Sequence, residues 1–242
     1  MRAWAIIPAA GRGRRLGRGG FKALVSIGGV PLVAFPARSV ALSPSVEGLT
    51  IAGPPDEEAL GEILRVCRRV APNLKVEVVP GGETRQESVR RALESVPPEV
   101  PLVAIHDAAR PFLCPSILER CLKEAEEERA VVAALNCPDT VRIAREGAGT
   151  EVFPRERVYL VQTPQAFDAR LIREAHKVAK EEGFEGTDDA VLVERLGVRV
   201  AIVPGSSLLF KITTEEDLVL AEAVAERWPL TEGIRALLSG SG

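Results

Sequence analysis

Five cations, Arg12, Arg14, Arg15, Arg18 and Lys22, fall within eleven residues of the stretch Pro8-Ala-Ala-Gly-Arg-Gly-Arg-Arg-Leu-Gly-Arg-Gly-Gly-Phe-Lys22. Glycines let a backbone approach a ligand closely and turn where a Cβ would clash. Successive backbone N–H groups in such a loop can cup an anion. Like charges this dense repel one another unless an anion or a nearby acid compensates them. The stretch therefore reads as a polyphosphate loop, with a solvated basic loop as the plainer alternative. Its spacing excludes two familiar phosphate motifs. The third glycine of G-x-G-x-x-G would fall on Leu16, and no Gly-Lys-Ser/Thr follows. A lysine, Lys211, also stands in the apolar run Leu208-Leu-Phe-Lys-Ile-Thr213, which reads as a late strand.

Short apolar runs alternate with amphipathic segments and would position these groups. Strands are expected at Ala3–Pro8, Leu49–Ala52, Lys75–Val79, Leu102–His106, Ala130–Leu135 and Arg199–Val203, each ending near Gly, Pro or Asp. Helices are expected at Asp56–Arg69, Gln86–Ser95, Pro115–Arg129, Ala169–Glu182 and Asp188–Leu196. The acidic run Glu124 to Glu128 reads as a solvated face. Thr214, with Asp217 three residues on, caps a helix running toward Arg227. The tail from Ser239 to Gly242 is expected to fray. This order predicts βαβ units and a mostly parallel, Rossmann-like α/β sheet in a single domain spanning the chain. Ligands then bind outside the carboxyl ends of the strands. About residues 136–160 the alternation breaks into a polar excursion with Gly147, Gly149 and Pro154, long for a connection and expected to form a protruding β-hairpin arm.

Composition narrows the function classes. The chain has 242 residues, 46% hydrophobic and 27% charged, with a net charge of −3. That excludes wholesale disorder and argues against a general nucleic-acid binder. No apolar run approaches the roughly 20 residues that cross a bilayer, and the first apolar stretch is too short for an export signal, so a cytoplasmic location is expected. Cys67, Cys114, Cys121 and Cys137 show neither metal-ligand nor disulfide spacing and read as buried or half-buried thiols.

Five motifs in one order carry a resemblance: Ala9-Ala-Gly-Arg-Gly-Arg-Arg15 with Lys22, Gly81-Gly-Glu-Thr-Arg-Gln-Glu-Ser88, His106-Asp-Ala-Ala-Arg-Pro111, Thr163-Pro-Gln165 and Thr187-Asp-Asp189. From Ile6 to about Ala221 the chain resembles the 2-C-methyl-D-erythritol 4-phosphate cytidylyltransferases of the non-mevalonate isoprenoid pathway. The resemblance implies transfer of CMP from CTP to a sugar-alcohol phosphate with release of pyrophosphate, Mg²⁺ or another divalent cation as cofactor, and a homodimer built through the arm. Arg15 and Lys22 then match the cations around the α-phosphate. Ala9, Ala10, Gly11, Gly13, Arg14, Gly82, Glu83, Ser88 and Ala108 match the nucleotide-binding positions, with Ser88 able to donate to the base. Asp107 would orient the acceptor or hold the metal, Arg110 would face the incoming phosphate, and Thr140 and Thr187 would contact the acceptor. Arg155 would reach the acceptor phosphate from the neighbouring subunit, and Lys211 would grip both phosphates. Helix capping is the alternative role for Glu83, Ser88 and Thr187, and an internal ion pair bridging strand and helix is the alternative for Asp107 and Arg110. His106 reads as structural, because this chemistry needs no general base, and His176 as surface or core. The chain departs from the common family pattern around Lys22, where Phe21 and Ala23 replace a preceding proline and a following Gln-Tyr or Gln-Phe. A ribitol 5-phosphate or other alditol-phosphate cytidylyltransferase shares most of these motifs. A dinucleotide-dependent oxidoreductase is disfavoured by Leu16, and a catalytically dead nucleotide sensor by the retention of Arg15, Lys22 and Lys211.

Overall fold

The computed structural model describes residues 2–13, 20–145, 147 and 149–240. In chain order the elements are β1 (Ala3–Pro8), β2 (Ser26–Ile27), β3 (Val30–Pro31), α1 (Ala34–Ala41), β4 (Val46–Gly53), α2 (Glu57–Val70), β5 (Lys75–Pro80), α3 (Arg85–Ser95), β6 (Leu102–Ile105) and α4 (Pro115–Glu128). They continue with β7 (Ala130–Asn136), β8 (Val141–Arg145), β9 (Gly149–Phe153), β10 (Tyr159–Asp168), α5 (Ala169–Glu181), α6 (Asp189–Glu194), β11 (Ala201–Pro204), α7 (Glu215–Ala225) and α8 (Thr231–Ser239). Seven strands form one sheet in the order β11-β7-β10-β6-β1-β4-β5. Every pairing is parallel except those of β10, which runs antiparallel between β6 and β7.

Helices cover both faces, so the central strands are apolar on both sides, as parallel sheets require. Along β1, Ala3, Ala5 and Ile7 enter one core with α1, α2, α4, α7 and α8, while Trp4 and Ile6 enter the other with α3, α5 and α6. Asp56 caps α2 by accepting from the Ala59 N–H, and Thr214 and Asp217 form a reciprocal capping box on α7. Cys67 and Cys121 are buried, Cys114 and Cys137 half-buried, and all four are free. Burial pushes the Cys67 and Cys121 thiols up to about 12, which leaves them inert.

Four features differ from the sequence-based expectation. Helix α1 was not anticipated: all its residues but Arg38 are buried, so it has no polar face to give a period. Strand β10 runs through the Thr163-Pro-Gln165 motif and carries a register shift between Val161 and Gln165. Helix α8 was not anticipated and includes Ser239, the first residue of the tail expected to fray, whose residues 241–242 lie outside the described residues. Lys211 does not end a strand. A short 3₁₀ turn, Ser207–Leu209, precedes it, because the backbone peels away from β11 to reach the end of β6. The polar excursion does hold a hairpin, with β8 and β9 paired antiparallel and mostly exposed.

Candidate active site

The chain passes from β1 to β4 to β5 toward one edge, then returns to place β6 on the other side of β1. Such a reversal opens a crevice at the carboxyl ends of the strands. The loops after β1, β5 and β6 meet there. Ala9 N–H donates to Ala52 O at 2.7 Å, Gly81 N–H to Gly53 O at 2.7 Å, and Lys22 N–H to Gly11 O at 3.0 Å. Gly81 is closely enclosed by its neighbours. A Cβ there would lie 2.6 Å from Ala10 Cβ and 2.9 Å from Gly53 O, so only glycine lets the β1 and β5 loops close together.

Two adjoining parts make up the cleft. Ala9, Ala10, Gly11, Lys22, Gly82, Glu83, Ser88, Asp107, Ala108 and Lys211 border the first, and Gly13 borders its continuation beside Arg12. Arg110 and Thr187 border the second, where Asp107 and Lys211 appear again. Positions 22 and 211, far apart in sequence, therefore face one space. Lys22 Nζ donates to Ile212 O. Ile212 N–H donates to Ala109 O at 2.9 Å, and this tie brings Lys211 Nζ within 2.8 Å of Asp107 Oδ2. Arg14 and Arg15 lie outside the described residues.

One expected contact is placed differently. Ser88 is buried, and its hydroxyl accepts from Gly82 N–H at 3.0 Å while donating to Thr84 O at 2.9 Å. It shapes the loop rather than offering a donor to a base. Thr187 does not cap α6; Asp188 does, accepting from Val191 N–H at 3.0 Å, which leaves Thr187 at the cleft edge. Thr140 and Arg155 stand on the exposed arm side, where Arg155 Nη1 donates to Pro138 O at 2.7 Å. The described walls of this cleft do not include them.

Sequence reasoning missed Arg85, although it lies inside a quoted motif. Its Nε donates to Asp107 Oδ1 and its Nη1 to Asp189 Oδ2, at 2.8 and 2.7 Å. Burial alone would raise the Asp107 carboxyl, but Arg85 and Lys211 beside it hold it far below the usual range. Both oxygens of Asp107 are thus committed to cations, and no cluster of three metal-ligating side chains exists among the described residues. These donors do not fit a resident metal centre on Asp107. A triphosphate would bring its own oxygens for a divalent cation.

The remaining motif residues hold these groups. Thr163 Oγ1 accepts from Asp107 N–H at 3.1 Å and donates to His106 Nδ1 at 3.0 Å. His106 Nε2 lies 2.9 Å from Arg110 O, which can only accept, so a proton sits on Nε2. Burial lowers its pKa to about 4. An unfolded histidine titrates near 6.5, so as the pH falls from about 6.5 to about 4 the unfolded chain takes up a proton that the folded one refuses. About 3 kcal/mol of stability, fully present above pH 6.5, is lost across that window. Urea midpoints measured against pH are expected to fall less steeply for His106→Gln than for the parent; parallel curves would refute this role for His106. Gln165 Nε2 donates to Asp188 Oδ2 at 2.8 Å, and Gln165 Oε1 accepts from Ala190 N–H at 3.2 Å, which locks the Thr187-Asp-Asp189 turn onto β10.

A doubly covered, mostly parallel sheet, with lysines and glycine-rich backbone gathered at its switch point, defines an α/β protein with a cleft suited to phosphorylated ligands. The family model for 2-C-methyl-D-erythritol 4-phosphate cytidylyltransferase matches residues 3–227. A relative of that name from Geobacter metallireducens is 42% identical over 233 residues, 95% of this chain and all of that one. Another from Thermus thermophilus is 42% identical over 231 residues, 94% and 99% of the two chains. Among solved structures, a T. thermophilus enzyme of that name superposes with a TM-score of 0.75 at 39% identity, over 93% of this chain and all of that one. A 4-diphosphocytidyl-2C-methyl-D-erythritol synthase from Anaerococcus prevotii gives 0.81 at 29% identity, over 93% and 99%. The chain belongs to the 2-C-methyl-D-erythritol 4-phosphate cytidylyltransferase family.

Proposed function

We propose that this chain transfers CMP from CTP to 2-C-methyl-D-erythritol 4-phosphate. An acceptor phosphate oxygen forms a bond to the α-phosphorus of CTP, the α–β anhydride bond breaks, and pyrophosphate leaves. Both reactants are anionic, so positioning and charge neutralisation supply the catalysis, and no covalent nucleophile or general base is required. The observation that carries this reading is the shared cleft of Lys22 and Lys211, with Asp107 at the junction of its two parts and Arg110 in the second, in a chain of this family. Lys22 and Arg15 neutralise the α-phosphate and the leaving group. Lys211 bridges the nucleotide and acceptor phosphates. The backbone at Ala9, Ala10, Gly11, Gly13, Gly82, Glu83 and Ala108, with Arg14, receives the nucleotide. Arg110, Asp107 and Thr187 receive the acceptor. Mg²⁺ or another divalent cation would be held by the triphosphate's own oxygens and would offset their charge. CTP and a polyol phosphate are multiply charged and do not cross a bilayer unaided, which puts the reaction in the cytoplasm.

The test is pyrophosphate release by purified protein with CTP, Mg²⁺ and either 2-C-methyl-D-erythritol 4-phosphate or ribitol 5-phosphate. Release with the first is expected; release with ribitol 5-phosphate alone would overturn the acceptor assignment. The arm supports a homodimer. Ile143 and Val152 on the hairpin and Tyr159, Leu160 and Val161 on β10 are large apolar side chains at 42–60% exposure. A second copy covering them would also bring Thr140 and Arg155 to the neighbouring cleft. Arg155→Ala is accordingly expected to raise the acceptor KM about tenfold or more, the loss typical of a charge-assisted contact, with a much smaller change for CTP. Equal changes in both constants would reject this role.

A further inference from the structure

Behind the cleft wall lies a line of buried polar contacts that the reaction itself does not call for. Lys211 Nζ meets Asp107 Oδ2 at 2.8 Å, Asp107 Oδ1 meets Arg85 Nε at 2.8 Å, Arg85 Nη1 meets Asp189 Oδ2 at 2.7 Å, and Asp189 Oδ1 meets His176 Nε2 at 3.0 Å. The line begins in the cleft and ends inside the protein. The Lys211 side chain is 40% exposed, whereas those of Asp189 and His176 are 1% exposed. Asp189 opens α6 and His176 lies on α5, so the far end is anchored by two helices on the face of the sheet that α3 also covers.

The carboxylate of Asp107 has two partners, and they differ in stiffness. Lys211 is a flexible point charge, whereas the Arg85 guanidinium is a planar fork that fixes direction. That fork is oriented only if its other arm is also held, and Asp189 holds it. An ionised carboxylate as deep as Asp189 is a poor choice for stability alone, because apolar side chains filling the same volume are often as stable. Burial would raise its pKa, but Arg85 and His176 keep it lowered and the group charged.

We propose that Asp189 and His176 are positioning residues that act through Arg85 to fix the Asp107 carboxylate, and with it Lys211, against the acceptor. This deepens the reading of the cleft given above and rests on it. Asp189→Asn keeps the shape and removes the charge. In the full chain it is expected to lower kcat/KM for the acceptor at least tenfold, with a smaller rise in the Kd for CTP, whose phosphates Lys211 also meets, and a change in Tm of a few degrees at most. His176→Gln, which can still donate to Asp189, is expected to retain most of the activity that His176→Phe loses. Because the line acts as one unit, adding Asp189→Asn to Asp107→Asn is expected to cost less than a further threefold. Multiplicative losses in the double variant, or an Asp189→Asn protein that only melts earlier, would overturn the proposal. A crystal structure of Asp189→Asn tests it whatever the wild type turns over. The Asp107 carboxylate is expected to turn from its place between Arg85 and Lys211, and an unmoved Asp107 would overturn it. A wild type inactive with the acceptor would instead refute the reading of the reaction.

Discussion

Lys22→Met is expected to lower kcat by roughly 10²–10³ with the fold intact, since removing one preorganised charge from a site where negative charge develops costs about 3–4 kcal/mol of transition-state stabilisation. The lysine follows the glycine-rich loop, is tied to it by the Lys22 N–H to Gly11 O bond, and faces the space that Lys211 enters from the other end of the chain. Methionine keeps the aliphatic stem and deletes only the ammonium. Steady-state kinetics with both substrates, beside calorimetric CTP binding, separate the effects: kcat falls and the Kd for CTP rises far less. Near-normal kcat in this variant would remove Lys22 from the chemistry. Arg15→Met is expected to behave likewise from its place in the motif.

Arg85→Met is expected to destabilise the protein by about 3–5 kcal/mol at pH 7, the usual consequence of leaving a buried charge without its partner. Here two carboxylates lose the same guanidinium, and Asp189 is the more deeply buried of them. The deficit carries a signed pH dependence. In the parent, Asp107 and Asp189 have lowered pKa values, so their contribution is present above the ordinary carboxyl range and is lost as the pH falls through it. Without Arg85, burial raises the Asp189 value above that of the unfolded chain, and acidification then favours the folded variant. The gap between the two proteins should therefore narrow from pH 7 to pH 5 in urea unfolding. Asp189→Asn in the Arg85→Met background should recover part of the loss. A deficit below about 1 kcal/mol, or one that does not change with pH, would contradict this account.

What was legible in the sequence and what was not divide on physical grounds. Strand β1 starts and stops where its apolar run does, and Asp56 and Thr214 mark their helices by capping chemistry that acts over three residues. Helix α1 has no polar face, so periodicity could not reveal it. Strand β10 was hidden because its first residues are exposed and belong to the arm, and because Pro164 reads as a breaker. Most cleft residues were legible through residue type: lysines and glycines after strands announce anion chemistry wherever the fold takes them. Arg85 was not, since its partners lie 22 and 104 residues away and nothing local distinguishes it from the neighbouring arginines of α3. Ser88 shows the converse. Its hydroxyl suggested a ligand contact, but the turn beside it takes the hydroxyl proton and one of its two acceptor lone pairs, partners that residue type alone does not reveal.

The antiparallel strand between β6 and β7 has a consequence for assembly of the sheet. All six other strands follow one direction, yet the two blocks β5-β4-β1-β6 and β7-β11 never touch edge to edge; residues 159–168 join them. A nascent chain that has not yet delivered that segment holds two unsatisfied edges inside what will become its core. Joining of the two blocks and placement of Thr163 against Asp107 thus depend on one segment, and no fragment ending before it can carry a working centre.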